Sequence, residues 1–302
     1  MTPLSFRLCR EDFDAFAQAL GASFASTGFA VISDHGLEAA GIEAAAVSAK
    51  AFFALPREVK LAYRVEGGAG QRGYTPFGVE RAKGAAHHDL KEFWHVGREP
   101  PANVWPREVP EFEARQLWLY EALDALGRQL LAAIARFLAL EPDFFDAPTS
   151  HGDSVLRLLH YPPGPFDGPH VRAAAHEDIN AITLLLGAEE AGLELKDRQG
   201  AWRAINPPPG CVVCNIGDML QRLTNHVLVS TTHRVMNPAP ERRGVSRYST
   251  PFFLHFASDY VIKTLPSCVS AERPDLYPRP ITAGDFLAER LREIGLMEEG
   301  AS

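Results

Sequence analysis

Three tripeptides of the form His-x-Asp occur in the chain, at His87-His88-Asp89, His151-Gly152-Asp153 and His176-Glu177-Asp178. Residues two apart on a strand point to the same face, so such a pair can offer an imidazole and a carboxylate to one metal ion. One further histidine from a distant segment completes a set that binds divalent iron and leaves positions open for a co-substrate and O2. Context separates the three. His151 lies in PTSHGDS, a turn-like stretch that suits a cap or surface histidine. His87-His88-Asp89 precedes the strand-like LKEFWHV but stands far upstream of the β-rich half. His176-Glu177-Asp178 opens that half and runs into an apolar stretch, Ala181 to Leu186, of strand type.

The downstream histidines are His226, His233 and His255. His233 lies in TTHRV, a β-branched stretch from which a side chain can be aimed into a barrel. His226, in LTNHVL, follows a turn and reads as a surface residue, and His255, in FFLHF, reads as a hydrogen-bonded core histidine. Periodicity alone leaves this choice open. Arg247-Tyr248-Ser249 places an arginine and a hydroxyl on one strand face, a forked, charge-assisted grip for a carboxylate. Tyr161, which begins YPP, can set a second hydroxyl beside them.

Other motifs carry less. Cys211-x-x-Cys214 has redox or zinc spacing, but residues three apart on a strand face opposite sides, so both read as buried structural cysteines. Asp218, in NIGD, reads as a turn residue. Gly67-Gly68-x-Gly70 lacks the strand and helix of a nucleotide loop and reads as a flexible lid. Arg72, Tyr74, Phe93 and Trp94 are wall or lid residues or ordinary packing.

The elements that must position these groups fall into two textures. Phe13, Phe16, Leu20 and Phe24 mark one face of a helix ending near Gly28, and Phe29 to Ile32 reads as a short buried strand. A second helix runs from about Leu37 to Phe53 and stops before Pro56, where a third element begins. Leu119, Leu123, Leu126, Leu130, Ile134 and Phe137 keep helical spacing along a long helix between Glu111 and Leu140, one that packs along a sheet. After about residue 153 come short β-branched runs broken by proline and glycine, the texture of a sandwich or jelly roll. AERLREIGL near the C-terminus returns to helical pattern. The reading is therefore one domain over residues 1–302: a mainly helical region at 1–150, a jelly-roll core at 151–260 and a helical region at 261–302.

A chain of 302 residues that is 46% hydrophobic and 23% charged has the proportions of an ordinary globular domain. Its net charge of -8 and lack of a basic run argue against nucleic acid and anionic lipid as partners. The first residues include acidic groups and no apolar stretch long enough for a signal peptide, and no segment approaches the ~18 apolar residues of a membrane span. Four scattered cysteines suit a reducing cytoplasm. Oligomeric state is not legible.

Read in order, HYPP, HEDINAITLLL, AGLEL, GAWRAINPPPGCVVCNIGDMLQRLTN, STTHRV and RYSTPFF resemble the plant-type and isopenicillin N synthase-like 2-oxoglutarate and Fe(II)-dependent oxygenases. GFAVISDHGL and FFALPREVKLAY resemble the opening segment of the same family, so the likeness covers about residues 24 to 256. It implies a double-stranded β-helix, a jelly roll with helices packed outside. It also implies that His176, Asp178 and His233 bind iron, that Arg247 and Ser249 grip the far carboxylate of 2-oxoglutarate, and that Tyr161 adds a hydrogen bond. HEDIN departs from the family, where a small threonine often stands between the ligands, so Glu177 is expected to point off the metal. The implied activity is oxidation of a C–H bond of a small molecule, with O2 consumed and succinate and CO2 released from 2-oxoglutarate. Two alternatives remain: an oxidase of the same family that does not consume 2-oxoglutarate, separated by whether O2 uptake needs it, and a non-catalytic metal or oxoacid sensor.

Overall fold

The computed structural model describes residues 1–66, 70–80, 88–98, 101–164, 171–186 and 192–293. Gly67 and Gly68 of the lid reading, His87 of the first His-x-Asp motif and the alanine that begins AGLEL lie outside the described residues.

A short strand β1 (Leu4–Ser5) and helix α1 (Arg7–Glu11) lead into α2 (Phe13–Thr27), capped at its start by the Asp12 carboxylate, which accepts from the Ala15 amide. It stops at Gly28, whose φ of 72° is the left-handed turn that glycine adopts without strain. Next come β2 (Phe29–Ser33), α3 (Ala39–Phe53), α4 (Arg57–Leu61), which Pro56 opens, β3 (Gly73–Thr75) and β4 (Glu92–Gly97). The long helix is α5 (Phe112–Phe137), and Leu119, Leu123, Leu126, Leu130 and Ile134 are all buried along it. Each such side chain contributes roughly 1.5–3 kcal/mol on burial.

A short helix α6 (Asp146–Thr149) precedes the β-rich half: β5 (Val155–Tyr161), β6 (Ala173–His176), β7 (Ile182–Leu186), β8 (Leu193–Lys196), β9 (Trp202–Ala204) and β10 (Val212–Ile216). Helix α7 (Asp218–Leu223), β11 (His233–Val235), β12 (Arg247–Leu254), the strand pair β13 (Val261–Ile262) and β14 (Ile281–Thr282), and α8 (Ala283–Glu293) follow. One sheet has eight strands in the order β1-β2-β10-β7-β12-β5-β4-β3, and a second has four in the order β6-β11-β8-β9. Together they form the double-stranded β-helix. Among the described residues, the region 1–150 carries α1 to α6 and also supplies β1 to β4, four strands of the large sheet. Two of them fall on stretches that are strand-like in sequence, Phe29 to Ile32 in β2 and LKEFWHV at β4, whereas β1 and β3, two and three residues long, are too short to show. The last region likewise holds β13 and β14 beside its helix.

The two faces of the large sheet have different work. Its outer face, with Leu156, Leu184, Val212, Cys214 and Leu254, joins the main core with α2, α3 and α5. At Gly127 of α5 an added Cβ would lie 2.6 Å from Leu254, so the helix lies directly on the sheet. The inner face, with Phe29, Val31 and Val213, packs with Ala173, Leu193, Leu195 and Val235 of the small sheet. Cys211 belongs to this inner cluster and Cys214 to the outer one, so the CxxC pair straddles the sheet as the strand period requires. One end of the space between the sheets is polar.

Candidate active site

His233 on β11 lies directly across from His176 on β6, and their rings are 4.4 Å apart. Asp178 lies two residues beyond the end of β6, so strand alternation alone does not place it. Its side chain is set by hydrogen bonds instead: Thr183 Oγ1 and Asn215 Nδ2 both donate to Oδ2, at 2.6 and 2.7 Å. That leaves Oδ1 3.8 Å from the Nε2 atoms of both His176 and His233. Among the described residues these three form a metal-ligand cluster whose donor atoms lie within 4.8 Å of one another.

The tautomers follow from the partners. Each Nδ1 faces a backbone carbonyl, Ala174 for His176 at 2.8 Å and Thr231 for His233 at 3.1 Å. A carbonyl only accepts, so each Nδ1 carries the proton and each Nε2 lone pair is free toward the cluster. Burial, together with the neighbouring His233, pushes the His176 pKa down to about 4, so the ring is neutral over the physiological range. Two imidazoles and one carboxylate, oriented by outer hydrogen bonds, fit a divalent iron with room for other ligands. Glu177, one residue away, accepts from Thr232 Oγ1 at 2.7 Å, off the cluster.

Arg247 and Ser249 sit at one end of β12, and Arg247 pairs across the sheet with Tyr161 of β5. The guanidinium carbon lies 5.1 Å from the Tyr161 ring centre, and Arg247 is 2% exposed. A cavity of about 60 Å³ joins Arg247, Ser249 and Tyr161 to the histidines and Asp178. It is narrow, cationic at its far end and open to the triad, as a chelating dicarboxylate requires.

His226 is exposed and sits 2.6 Å from the Tyr277 hydroxyl, away from the cluster, and His151 is exposed in a turn. His255 is buried, but in place of the core hydrogen bonds expected of it, its ring nitrogens find no protein partner among the described residues. It lines a second, larger cavity of about 470 Å³, as do His176, Asp178 and Asp218. Asp218 is the first residue of α7, and burial pushes its carboxyl up to about 6. Tyr74 and Trp94 are core packing, and Arg72 donates to the carbonyls of Gln71, Arg98 and Pro101. Thr183 and Asn215 went unread, although a lone polar residue on the inner face of each apolar strand ITLLL and VVCNI is a visible signal.

A family model described as the 2OG-Fe(II) oxygenase superfamily matches residues 152–256, and the non-haem dioxygenase N-terminal model, described from morphine synthesis, matches residues 4–119. A 2-oxoglutarate-Fe(II) type oxidoreductase of Emericella nidulans is 36% identical over 80% of this chain and 73% of its own length. The chain belongs to the 2-oxoglutarate and Fe(II)-dependent oxygenase family. A crystal structure of a 2OG-Fe(II) oxygenase family protein from Caulobacter crescentus is 62% identical, with TM-score 0.90 over 97% of this chain and 99% of that one. A full-length Neurospora crassa enzyme in complex with alpha-KG and thymine is 28% identical, with TM-score 0.88 over 96% of each chain. As an oxygenase of this family the protein uses Fe(II) and 2-oxoglutarate. Among the described residues no helix is long and apolar enough to cross a membrane.

Proposed function

We propose that His176, Asp178 and His233 hold the Fe(II), and that Arg247, Ser249 and Tyr161 hold the distal carboxylate of 2-oxoglutarate. The observation that carries this reading is the donor set itself: two Nε2 lone pairs and one carboxylate oxygen turned toward each other by four outer hydrogen bonds. When bound, iron with 2-oxoglutarate and O2 supplies the power to oxidise a C–H bond, with succinate and CO2 released. The protein's share is positional. Arg247 fixes the far end of the co-substrate, the triad fixes the metal, and the 470 Å³ cavity brings a substrate C–H bond beside it. A small organic molecule of limited size fits that space, and thymine in the Neurospora relative supports this scale.

Strands from both sides of residue 150 complete one sheet, which supports a single oxygenase unit over residues 1–302. All four cysteines are free, which supports a reducing, cytoplasmic setting that also keeps iron divalent.

Iron content tests the triad. His176→Ala, Asp178→Ala and His233→Ala are each expected to lose Fe(II) while the far-ultraviolet spectrum is kept, and His226→Ala to retain it. A variant among the first three that binds iron fully removes its residue from the ligand set.

A further inference from the structure

The wall of the larger cavity carries ionised side chains outside the ligand sets proposed above: Glu80, Asp89, Lys91 and Arg157, with His95 among them, and Lys91 and Arg157 also reach the smaller cavity. Lys91 Nζ lies 2.8 Å from Glu80 Oε1 and 2.8 Å from Asp89 Oδ2. Arg157 Nη1 donates to the same Glu80 oxygen at 3.2 Å, and its Nε donates to His95 Nε2 at 2.5 Å. His95 passes its own Nδ1–H to the Gly70 carbonyl at 2.5 Å, so one ring nitrogen accepts, the other donates, and the ring is neutral. Sheet order puts Arg157 of β5 between Phe93 of β4 and Phe253 of β12, with ring centres 4.4 and 5.1 Å from the guanidinium carbon. The guanidinium is therefore held on both faces and along two of its three nitrogens. Its Nη2 meets no acceptor among the described residues. His255, 8% exposed on the same cavity, likewise has no protein partner for its ring among the described residues, and its Nδ1 is buried.

We propose that Arg157 selects the substrate, and that the substrate is a small uncharged ring compound presenting an amide-type carbonyl oxygen to Nη2, with His255 as a second polar contact. This rests on the oxygenase reading given above. Charge decides the class. Around Nη2 two largely buried cations, Lys91 and Arg157, face two largely buried carboxylates, Glu80 and Asp89, so an anion docked on Arg157 meets a charge already engaged. The cavity's other cations, Arg222 and Arg290, are held by Tyr277 and the Arg279 carbonyl and by Glu293. A cationic substrate would lie against Lys91 and Arg157 with both carboxylates already engaged. A neutral carbonyl takes the spare N–H without disturbing that balance, and a neutral imidazole offers it one donor and one acceptor.

The test titrates the Fe(II)- and 2-oxoglutarate-loaded protein, kept free of O2, with three matched sets of small ring compounds: cyclic amides such as thymine, ring carboxylates and ring amines. Calorimetry is expected to show tightest binding by a cyclic amide, weakened by about tenfold or more in Arg157→Lys, which keeps the charge beside Glu80 but loses the fork. In His255→Phe the same compound should lose about threefold or more. Should Arg157→Lys fail to fold, Arg157→Gln replaces it with the same expected loss. Slow succinate formation and 2-oxoglutarate binding by the wild type, measured without any ring compound, test the oxygenase reading separately. With both intact, the substrate inference alone is overturned if no cyclic amide binds, if a carboxylate or amine binds more tightly, or if the Arg157 variant binds every set as the wild type does.

Discussion

At the residue scale, the site separates groups that donate electron pairs from groups that aim them. Thr183 and Asn215 take one oxygen of Asp178 and leave the other facing two imidazoles whose protons point away. Under the proposed reading Arg247 does comparable work for the co-substrate from a position that is 2% exposed, where a carboxylate is shielded from water. Arg247→Lys loses the fork and Arg247→Ala leaves the anion unpaired, costing on the order of 2–5 kcal/mol. The apparent affinity for 2-oxoglutarate should therefore fall by about tenfold or more while iron content stays unchanged, and titration of the metal-loaded protein reads both. The residues that meet at the cluster could be named from sequence because His-x-Asp, the later histidine and Arg-x-Ser stand in family order. Glu80, His95 and Arg157 could not, because their roles exist only once β4 and β5 lie side by side.

At the element scale, α4 is tied to the large sheet by a buried polar cluster. Lys60 Nζ of α4 lies 2.9 Å from both carboxylate oxygens of Glu92 on β4, and His160 Nδ1 of β5 lies 2.7 Å from one of them. The Tyr74 hydroxyl donates to the same carboxylate. Burial opposes the ionised form of Glu92, but hydrogen bonds from His160, Tyr74 and Lys60 outweigh it and hold its pKa below the usual range. Removing one partner strands a buried charge, so Glu92→Ala should cost about 3–5 kcal/mol in urea unfolding, and the double variant Lys60→Met, Glu92→Leu should recover much of that loss. A double variant no more stable than the single one would show that packing rather than charge sets the cost. Sequence periodicity found α2, α3 and α5 because each shows a regular apolar stripe toward one core. It passed over β3, three residues opening on a glycine, which only pairing with β4 makes a strand.

At the scale of the whole molecule, three histidines, His95 and His255 buried and His176 half-buried, couple stability to pH in the metal-free protein. Burial, with Arg157 nearby, holds His95 well below its ordinary pKa, and burial pushes His176, helped by His233, and His255 down to about 4. Each is neutral when folded and protonated when unfolded below about pH 6.5, so the unfolded state binds more protons and stability falls as pH drops from there. Each contributes a slope of about 1.4 kcal/mol per pH unit between its two pKa values. Urea unfolding of the metal-free protein from pH 8 to pH 5 should therefore be flat at first and then decline, and His255→Gln should make the decline shallower. A stability that stays level down to pH 5 would contradict this assignment.

The measurement that bears most directly on the account is succinate released from 2-oxoglutarate with Fe(II) and O2 present and no substrate added. Slow succinate formation is predicted for the wild type, none for His233→Ala, and for Arg247→Ala formation only at raised 2-oxoglutarate. An iron-loaded wild type that forms no succinate, or a His233→Ala variant that forms it at the wild-type rate, would contradict the account.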